Sequence, residues 1–205
     1  MTTADLSGAT RAGTPPPRAT IPFPETTPAS FASVAGSATT TSVEGEPTPP
    51  ASALSSAFST LEGRTLAMPV VGARTLDLRD NFEEARGSGR HEAIDILAPR
   101  GTSVVAADDG KVVKLFTSRQ GGLTVYQFDR NDTHCYYYAH LDRYAEGLRE
   151  GLFLRRGDPV GSVGTTGNAL RDTPHLHFAI FELGPEKHWW EGKALNPYPF
   201  LMKVK

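Results

Sequence analysis

Two histidines separated by a single leucine stand out in the segment PHLHFAIF, residues 174–181. Successive side chains of a β-strand point to opposite faces, so residues two apart share a face. As a strand, this segment carries four residues on one face: His175, His177, Ala179 and Phe181. The opposite face is an apolar stripe made of Leu176, Phe178 and Ile180. Two imidazoles side by side on the exposed face of a sheet predict a metal site or an acid–base site.

Two other segments carry histidines in a strand-like context. In HEAIDILAP, His91 precedes Asp95 by four residues. The β-branched residues beside Asp95 and the following proline argue against a helix, so we place His91 in a loop that leads into a strand carrying Asp95. In YYYAHL, strict alternation predicts a common face for Tyr136, Tyr138 and His140.

These residue types match what a catalytic zinc site needs. Zinc in such sites takes three protein ligands from His, Asp and Glu and leaves one position for water, whose pKa it lowers so that the water can attack a carbonyl. Two further histidines can take the proton of that water and stabilise the developing oxyanion. Three ligands and two acid–base groups account for His91, Asp95, His140, His175 and His177. Each short pattern is weak alone, and their co-occurrence in strand contexts supports a metal site.

The elements that would position these residues are short strands. Six segments have the apolar residues and turn boundaries of strands: 102–107, 111–116, 123–129, 135–141, part of 154–167, and 174–181. Asp109-Gly110 predicts a hairpin between the first two, and the polar turn RNDT joins the next two. The best helix candidate is 141–151. We therefore predict an all-β domain with mainly antiparallel pairing.

The first sixty residues differ in composition from the rest. Nine of the sixteen prolines lie before residue 51, among Ala, Thr and Ser and few large apolar groups. Such a segment cannot offset the entropy cost of ordering the chain. We predict a disordered Pro/Ser/Thr/Ala-rich tail or tether over 1–60 and a folded domain over 61–205.

Charge and hydropathy exclude several classes of partner. The formal net charge of −2 and the lack of a basic stripe argue against nucleic-acid binding. No apolar run is long enough to span a membrane, and the first twenty residues lack the hydrophobic region of a signal peptide. The single Cys135 cannot form an internal disulfide.

The quoted segments resemble a known family. HEAIDILAPRGTSVVAADDGKV, YYYAHL, RRGDPVGSVGTTGNA and TPHLHFAIF are similar in order and spacing to the lysostaphin/LytM-type zinc metalloendopeptidases, over about residues 65–185. The resemblance implies a compact antiparallel β domain with an open groove across one sheet. It also implies one Zn²⁺ per chain, peptidoglycan peptides as partners, and hydrolysis of their peptide bonds. We expect a monomer in the cell envelope (periplasm) or secreted.

The family's functional residues carry over by motif position. The implied zinc ligands are His91, Asp95 and His177. The implied catalytic histidines are His140 and His175, and the resemblance does not say which of the two is the base.

One position departs from the family pattern. Ala93 stands where the family usually has glycine, and its methyl group would crowd the loop if that position needed a positive φ. We expect it to be tolerated, because the ligands on both sides are present. The stretches Gly121-Gly122 and Gly164–Asn168 match loops that border the groove, and turn formation explains them equally well.

Two non-enzymatic functions compete with an endopeptidase. One is an activator of cell-wall amidases, a role of family members that have lost ligands; the other is a zinc-holding cell-wall module without turnover. The complete set of five residues favours the enzyme. The sequence leaves open which bond is cut, what the tail does, and whether the protein remodels its own wall or acts as a toxin or phage lysin.

Overall fold

The computed structural model describes residues 61–87 and 89–203, so the tail predicted over 1–60 lies outside the described residues. In chain order the strands are β1 Ala85–Arg86, β2 Gly89–Arg90, β3 Ile94–Leu97, β4 Ser103–Val105, β5 Gly110–Ser118, β6 Gly122–Asp129, β7 His134–Tyr144, β8 Phe153–Leu154, β9 Pro159–Val163, β10 His175–Glu182 and β11 Lys193–Leu195, followed by the helix α1 Tyr198–Leu201. Two single 3-10 turns, Leu61–Gly63 and Thr75–Asp77, precede them. The described part of the chain contains no helix long and apolar enough to cross a membrane.

Nine of the strands form one sheet in the order β11-β10-β7-β6-β5-β8, with β3 paired to β10 and β9 paired to both β4 and β7. Every pairing is antiparallel, and β1 and β2 form a separate hairpin. The predicted all-β, antiparallel fold is confirmed. Strand β10 lies between β3, β7 and β11, and therefore brings the two-histidine segment against the strands that carry the other candidates.

The alternation predicted for 174–181 is also confirmed. The residues of β10 on the core face are Leu176, Phe178 and Ile180, and they pack with Tyr136 and Tyr138 of β7. The residues on the other face beyond the histidines are Ala179 and Phe181, and they join a second apolar cluster with Tyr126. Trp189, from the segment after β10, packs on this second cluster. The outer face is thus covered at its far end, and the histidines occupy the other end.

The hairpin predicted at Asp109-Gly110 is wrong. Strand β4 pairs with β9, whereas β5 pairs with β6 and β8. The Asp109 carboxylate instead accepts hydrogen bonds from Arg130 and from the backbone N–H of Arg156. Gly110 is needed for close approach, because a Cβ there would lie 2.0 Å from the carbonyl oxygen of Phe128. The Asp-Gly pair is therefore explained by contacts with residues far away in the sequence. Gly110 allows close packing against β6, and Asp109 binds Arg130 and the backbone of Arg156.

The candidate helix over 141–151 is also wrong, whereas the hairpin at RNDT is confirmed. Strand β7 continues to Tyr144 and pairs with β9 from Leu141 to Tyr144, and turns follow it. Strands β6 and β7 are joined by a turn in which Asp132 has φ 52°. Sheet pairing with the distant β9 therefore overrides the weak helical pattern.

A buried polar network surrounds Asp129 at the β6–β7 turn, at the other end of β10 from His175 and His177. Asp129 is 1% exposed and accepts hydrogen bonds from the backbone N–H groups of Thr133 and His134 at 2.7 and 3.0 Å. Arg64 forms ion pairs with Asp129 at 3.1 Å and Asp108 at 3.0 Å. Burial raises the pKa of Asp129, but the hydrogen bonds from His134 and Thr133 lower it by more, to well below its usual range.

Candidate metal centre

Three side chains from two strands and a loop converge on one point. His91 Nε2 lies 3.0 Å from Asp95 Oδ1 and 3.1 Å from His177 Nδ1, and the remaining distance, from His177 Nδ1 to Asp95 Oδ1, is 3.1 Å. These residues form a group able to hold a metal ion among the described residues. The register explains the meeting, because His177 is paired with Asp95 between β10 and β3. The predicted placement of His91 in a loop before a strand carrying Asp95 is confirmed.

The local backbone orients the ring of His91. Its Nδ1 lies 3.1 Å from the carbonyl oxygen of Asn81. A carbonyl can only accept, so Nδ1 carries the proton and Nε2 of the neutral ring presents a lone pair to Asp95 and His177. Asn81 also holds the second candidate ligand, since the backbone N–H of Asp95 donates to Asn81 Oδ1 at 3.3 Å.

The donor set fits a zinc ion. Two ring nitrogens and one carboxylate oxygen lie 3.0–3.1 Å from one another, and a single proton can serve only one of the three contacts. Around a tetrahedral ion with bonds of about 2.0–2.1 Å, the ligand atoms lie about 3.3 Å apart. One imidazole pair and one carboxylate also form a ligand set that zinc accepts in catalytic sites. A small cation therefore satisfies all three atoms with little movement of the side chains.

His140 reaches this site through a distortion of β7 that the sequence analysis missed. The prediction that Tyr136, Tyr138 and His140 share a face is wrong: both tyrosines are buried in the main core, and so is Leu141. His140 has φ 59°, and the register of β6 and β7 shifts beside it. This bulge inserts one residue into the alternation and turns His140 to the face of the other histidines. Its ring centroid lies 5.0 Å from that of His175.

The two predicted catalytic histidines, His140 and His175, are held in the same tautomer. Nδ1 of His140 lies 2.8 Å from the carbonyl oxygen of Thr166, and Nδ1 of His175 lies 2.8 Å from that of Thr173. Both Nδ1 atoms therefore donate, and both Nε2 atoms keep a lone pair. His175 Nε2 lies 3.7 Å from Asp95 Oδ1, so this nitrogen faces the candidate metal group.

The loops that border His140 interlock. The hydroxyl of Thr166 donates to the carbonyl of Leu141 at 2.8 Å and accepts from the N–H of Leu123 at 3.0 Å. The backbone N–H of His140 donates to the carbonyl of Gly121 at 2.8 Å. Gly122 has φ 65°, and a Cβ there would lie 2.1 Å from Thr166 Oγ1. The two stretches picked out in the sequence, Gly121-Gly122 and Gly164–Asn168, therefore pack on each other and hold His140 in position.

The protonation states follow from burial and neighbouring charge. Burial lowers the pKa of His140, and His177 lowers it further, to about 4. Burial also lowers the pKa of His177. Burial raises the pKa of Asp95, but its contacts with His177 and His91 lower it by more, to well below its usual range. Near neutral pH the site therefore presents an ionised carboxylate and neutral rings at His140 and His177.

The substitution at Ala93 is accommodated. Ala93 is fully buried in the second apolar cluster, and it is not among the described residues with positive φ. The left-handed residue of this loop is its neighbour Glu92, with φ 53°. A methyl group at position 93 is therefore packed rather than strained.

Sequence reasoning missed three residues that contact the candidate site, namely Asn81, Arg86 and Thr173. Arg86 donates from Nη2 to Asp95 Oδ2 at 2.9 Å. Asn81 and Arg86 lie in a segment without clear periodicity, and two of the contacts use a backbone carbonyl. The type of a residue does not predict such contacts. The sequence analysis did pick out the stretch Gly164–Asn168, which contains Thr166, as a loop that borders the groove.

Comparison with known proteins gives a consistent family. The sequence model of Peptidase family M23 matches residues 89–197, which are more than half of the chain and include all five candidate residues. The L-Ala–D-Glu endopeptidase of Bacillus subtilis (strain 168) is 32% identical over 143 residues, which are 66% of this chain and 42% of that protein. The murein hydrolase activator NlpD of Salmonella dublin is 29% identical over 122 residues, which are 60% of this chain and 28% of that protein.

Comparison with solved structures agrees with this family. The antimicrobial peptidase lysostaphin from Staphylococcus simulans superposes with a TM-score of 0.51 at 26% identity, covering 61% of this chain and 48% of that one. The chain therefore spans less than half the length of each of these relatives. The resemblance to the lysostaphin/LytM-type enzymes is confirmed, and the chain belongs to peptidase family M23.

Proposed function

We propose that this protein is a zinc-dependent endopeptidase that hydrolyses peptide cross-links of bacterial peptidoglycan. The observation that carries the proposal is the triangle of two ring nitrogens and one carboxylate oxygen with edges of 3.0–3.1 Å, beside two histidines whose Nδ1 atoms both donate to backbone carbonyls. Relatives named as an endopeptidase of L-Ala–D-Glu bonds and as the peptidase lysostaphin support the same class of reaction.

In this proposal His91, Asp95 and His177 hold one zinc ion per chain. When bound, the ion supplies Lewis acidity, which activates water and polarises an amide carbonyl near neutral pH. The chain contributes the orientation of these ligands, because Asn81 fixes the tautomer of His91 and the β3–β10 register places His177 against Asp95. Ligands preset in this way need little rearrangement to bind the ion.

His140 and His175 are the proposed catalytic residues. Their Nδ1–H groups are already donated to backbone carbonyls, so each has an Nε2 lone pair for proton transfer with a substrate or water. The low pKa of His140 keeps its ring neutral near neutral pH, so its Nε2 can accept a hydrogen bond from water or substrate. Once protonated, either ring can hydrogen-bond a developing oxyanion or protonate the leaving amine.

A second candidate function is activation of cell-wall hydrolases without catalysis. The similarity to an activator named NlpD favours it. The complete set of candidate ligands and catalytic histidines favours the enzyme instead, because an activator needs no group that transfers protons. A zinc-holding wall module without turnover is the remaining alternative. The relative NlpD is named an activator of murein hydrolases, and murein is the bacterial wall polymer. We propose that this chain acts in the cell envelope or as a secreted monomer.

The direct test is mass spectrometry of fragments released from purified peptidoglycan by the zinc-loaded protein, with a chelator-treated control. Chelator-sensitive release of peptides cut at a defined bond is the expected result and also names the bond. A zinc-bound protein that releases nothing from several wall types would contradict the enzyme. In that case, stimulation of a purified amidase by the same protein would establish the activator.

A further inference from the structure

The two oxygens of Asp95 have different partners. Oδ1 lies 3.0 Å from His91 Nε2 and 3.1 Å from His177 Nδ1, within the candidate metal group. Oδ2 accepts a hydrogen bond from Arg86 Nη2 at 2.9 Å. The Asp95 side chain is 14% exposed and that of Arg86 is 49% exposed, so the arginine reaches the carboxylate from the solvent side.

We propose that Arg86 is a positioning residue that makes Asp95 a one-oxygen ligand and thereby keeps a coordination position free. The inference rests on the proposed metal site but not on any particular reaction. A carboxylate can bind a metal ion through one oxygen or through both. A charge-assisted hydrogen bond occupies Oδ2 and fixes the carboxylate plane, so only Oδ1 is available to the ion. The position that a second oxygen would take stays open to water or substrate.

The hairpin that carries Arg86 is built into the site. In the β1–β2 hairpin Ala85 pairs with Arg90. The backbone N–H of His91, directly after the hairpin, donates to the carbonyl of Glu84, directly before it, at 2.8 Å. The hairpin is therefore closed at the residue that supplies the first candidate ligand. Its fold sets both the position of His91 and the reach of Arg86 to Asp95.

Arg90 provides a matched control within the same hairpin. It is also an exposed arginine in an ion pair, but its partner is Glu83, which is 62% exposed and outside the metal group. Replacing Arg90 with Gln removes the same charge from the same hairpin without touching Asp95. A difference between the two variants therefore reports the contact to Asp95 and not the net charge of the segment.

The experiment uses four full-length proteins: the wild type, Arg86→Gln, Arg86→Lys and Arg90→Gln. Each is loaded with Co²⁺ for a visible absorption spectrum, and its Zn²⁺ affinity is measured by chelator competition. Four-coordinate Co²⁺ absorbs more strongly than five- or six-coordinate Co²⁺. We expect the absorption of Arg86→Gln to fall, because Oδ2 becomes a ligand, and its zinc affinity to fall about 10–100-fold. Arg86→Lys keeps a charged donor for Oδ2, so both quantities should fall less than in Arg86→Gln. Arg90→Gln should match the wild type.

An Arg86→Gln variant with the spectrum and zinc affinity of Arg90→Gln would overturn the inference. Circular dichroism shows whether each variant is folded, and the exposure of Arg86 leads us to expect that all are. Failure of the proposed function looks different: a wild type that binds metal but cuts no peptidoglycan overturns the enzyme, and the spectra still test Arg86. A wild type that binds no Co²⁺ or Zn²⁺ overturns the metal site and this inference with it.

Discussion

Gly122 begins β6 against the loop that holds His140, and its replacement by alanine tests how that histidine is positioned. Gly122 has φ 65°, and an added Cβ would lie 2.1 Å from Thr166 Oγ1 and 2.4 Å from the carbonyl carbon of the same residue. Ordinary contact begins at 3.4 Å. The backbone atoms involved cannot rotate away, so the Thr166 loop must move by more than about 1 Å.

The cost follows from the contacts that this movement breaks. A left-handed alanine costs about 1–2 kcal/mol. The hydroxyl of Thr166 bonds Leu123 and Leu141, and each bond is worth about 0.5–1.5 kcal/mol. We therefore expect Gly122→Ala to lower the free energy of unfolding by about 2–5 kcal/mol. The carbonyl of Thr166 that orients the His140 ring moves with the loop.

Gly151 supplies the control, because it has φ 85° with nothing within 4 Å of an added Cβ. Gly151→Ala should cost only the left-handed strain, about 1–2 kcal/mol. Urea unfolding followed by fluorescence of the two tryptophans measures both variants. In the folded Gly122→Ala protein, peptide hydrolysis should fall about 100-fold through misplacement of His140, while zinc affinity stays at the wild-type level. Equal stabilities for the two variants, with unchanged hydrolysis, would refute the claim that the Thr166 loop positions His140.

Other variants test the remaining parts of the structure. His177→Ala should lose zinc as well as hydrolysis, and full metal content measured by atomic absorption would contradict its role as a ligand. His140→Ala should keep zinc and lose turnover, so a wild-type rate on peptidoglycan would remove it from the mechanism. Because the pKa of Asp129 is lowered in the folded state, its carboxylate contributes stability that is present above about pH 4 and is lost as the pH falls through the folded pKa. The loss in unfolding free energy caused by Asp129→Asn, measured by urea unfolding, should therefore shrink below about pH 4. A loss that does not change with pH would contradict this. Burial raises the pKa of Cys135, so the thiol should react with a disulfide reagent at pH 8 only after unfolding; rapid labelling of the native protein would show that β7 opens.

The sequence alone determined the features that depend on local alternation. The period of two in HLHFAIF specified which residues of β10 enter the core, because a strand that buries one face tolerates no slip in register. Turn chemistry specified the β6–β7 hairpin, and the β-branched residues around Asp95 specified a strand. The set of candidate residues was likewise available, since His, Asp and their order are carried by the chain itself.

The tertiary structure decided which side chains meet and how they are held. The bulge at His140 reverses the face that alternation predicts, because pairing with β6 forces an extra residue into β7. Asp109-Gly110 and 141–151 were misjudged for a similar reason, since partners far away in sequence replaced the local turn and helix. Asn81 and Thr166 contact the histidines through backbone carbonyls, which every residue has. Arg86 contacts Asp95 only because the β1–β2 hairpin places it there. The identity of the candidate ligands is therefore local information, whereas their orientation is produced by non-local packing.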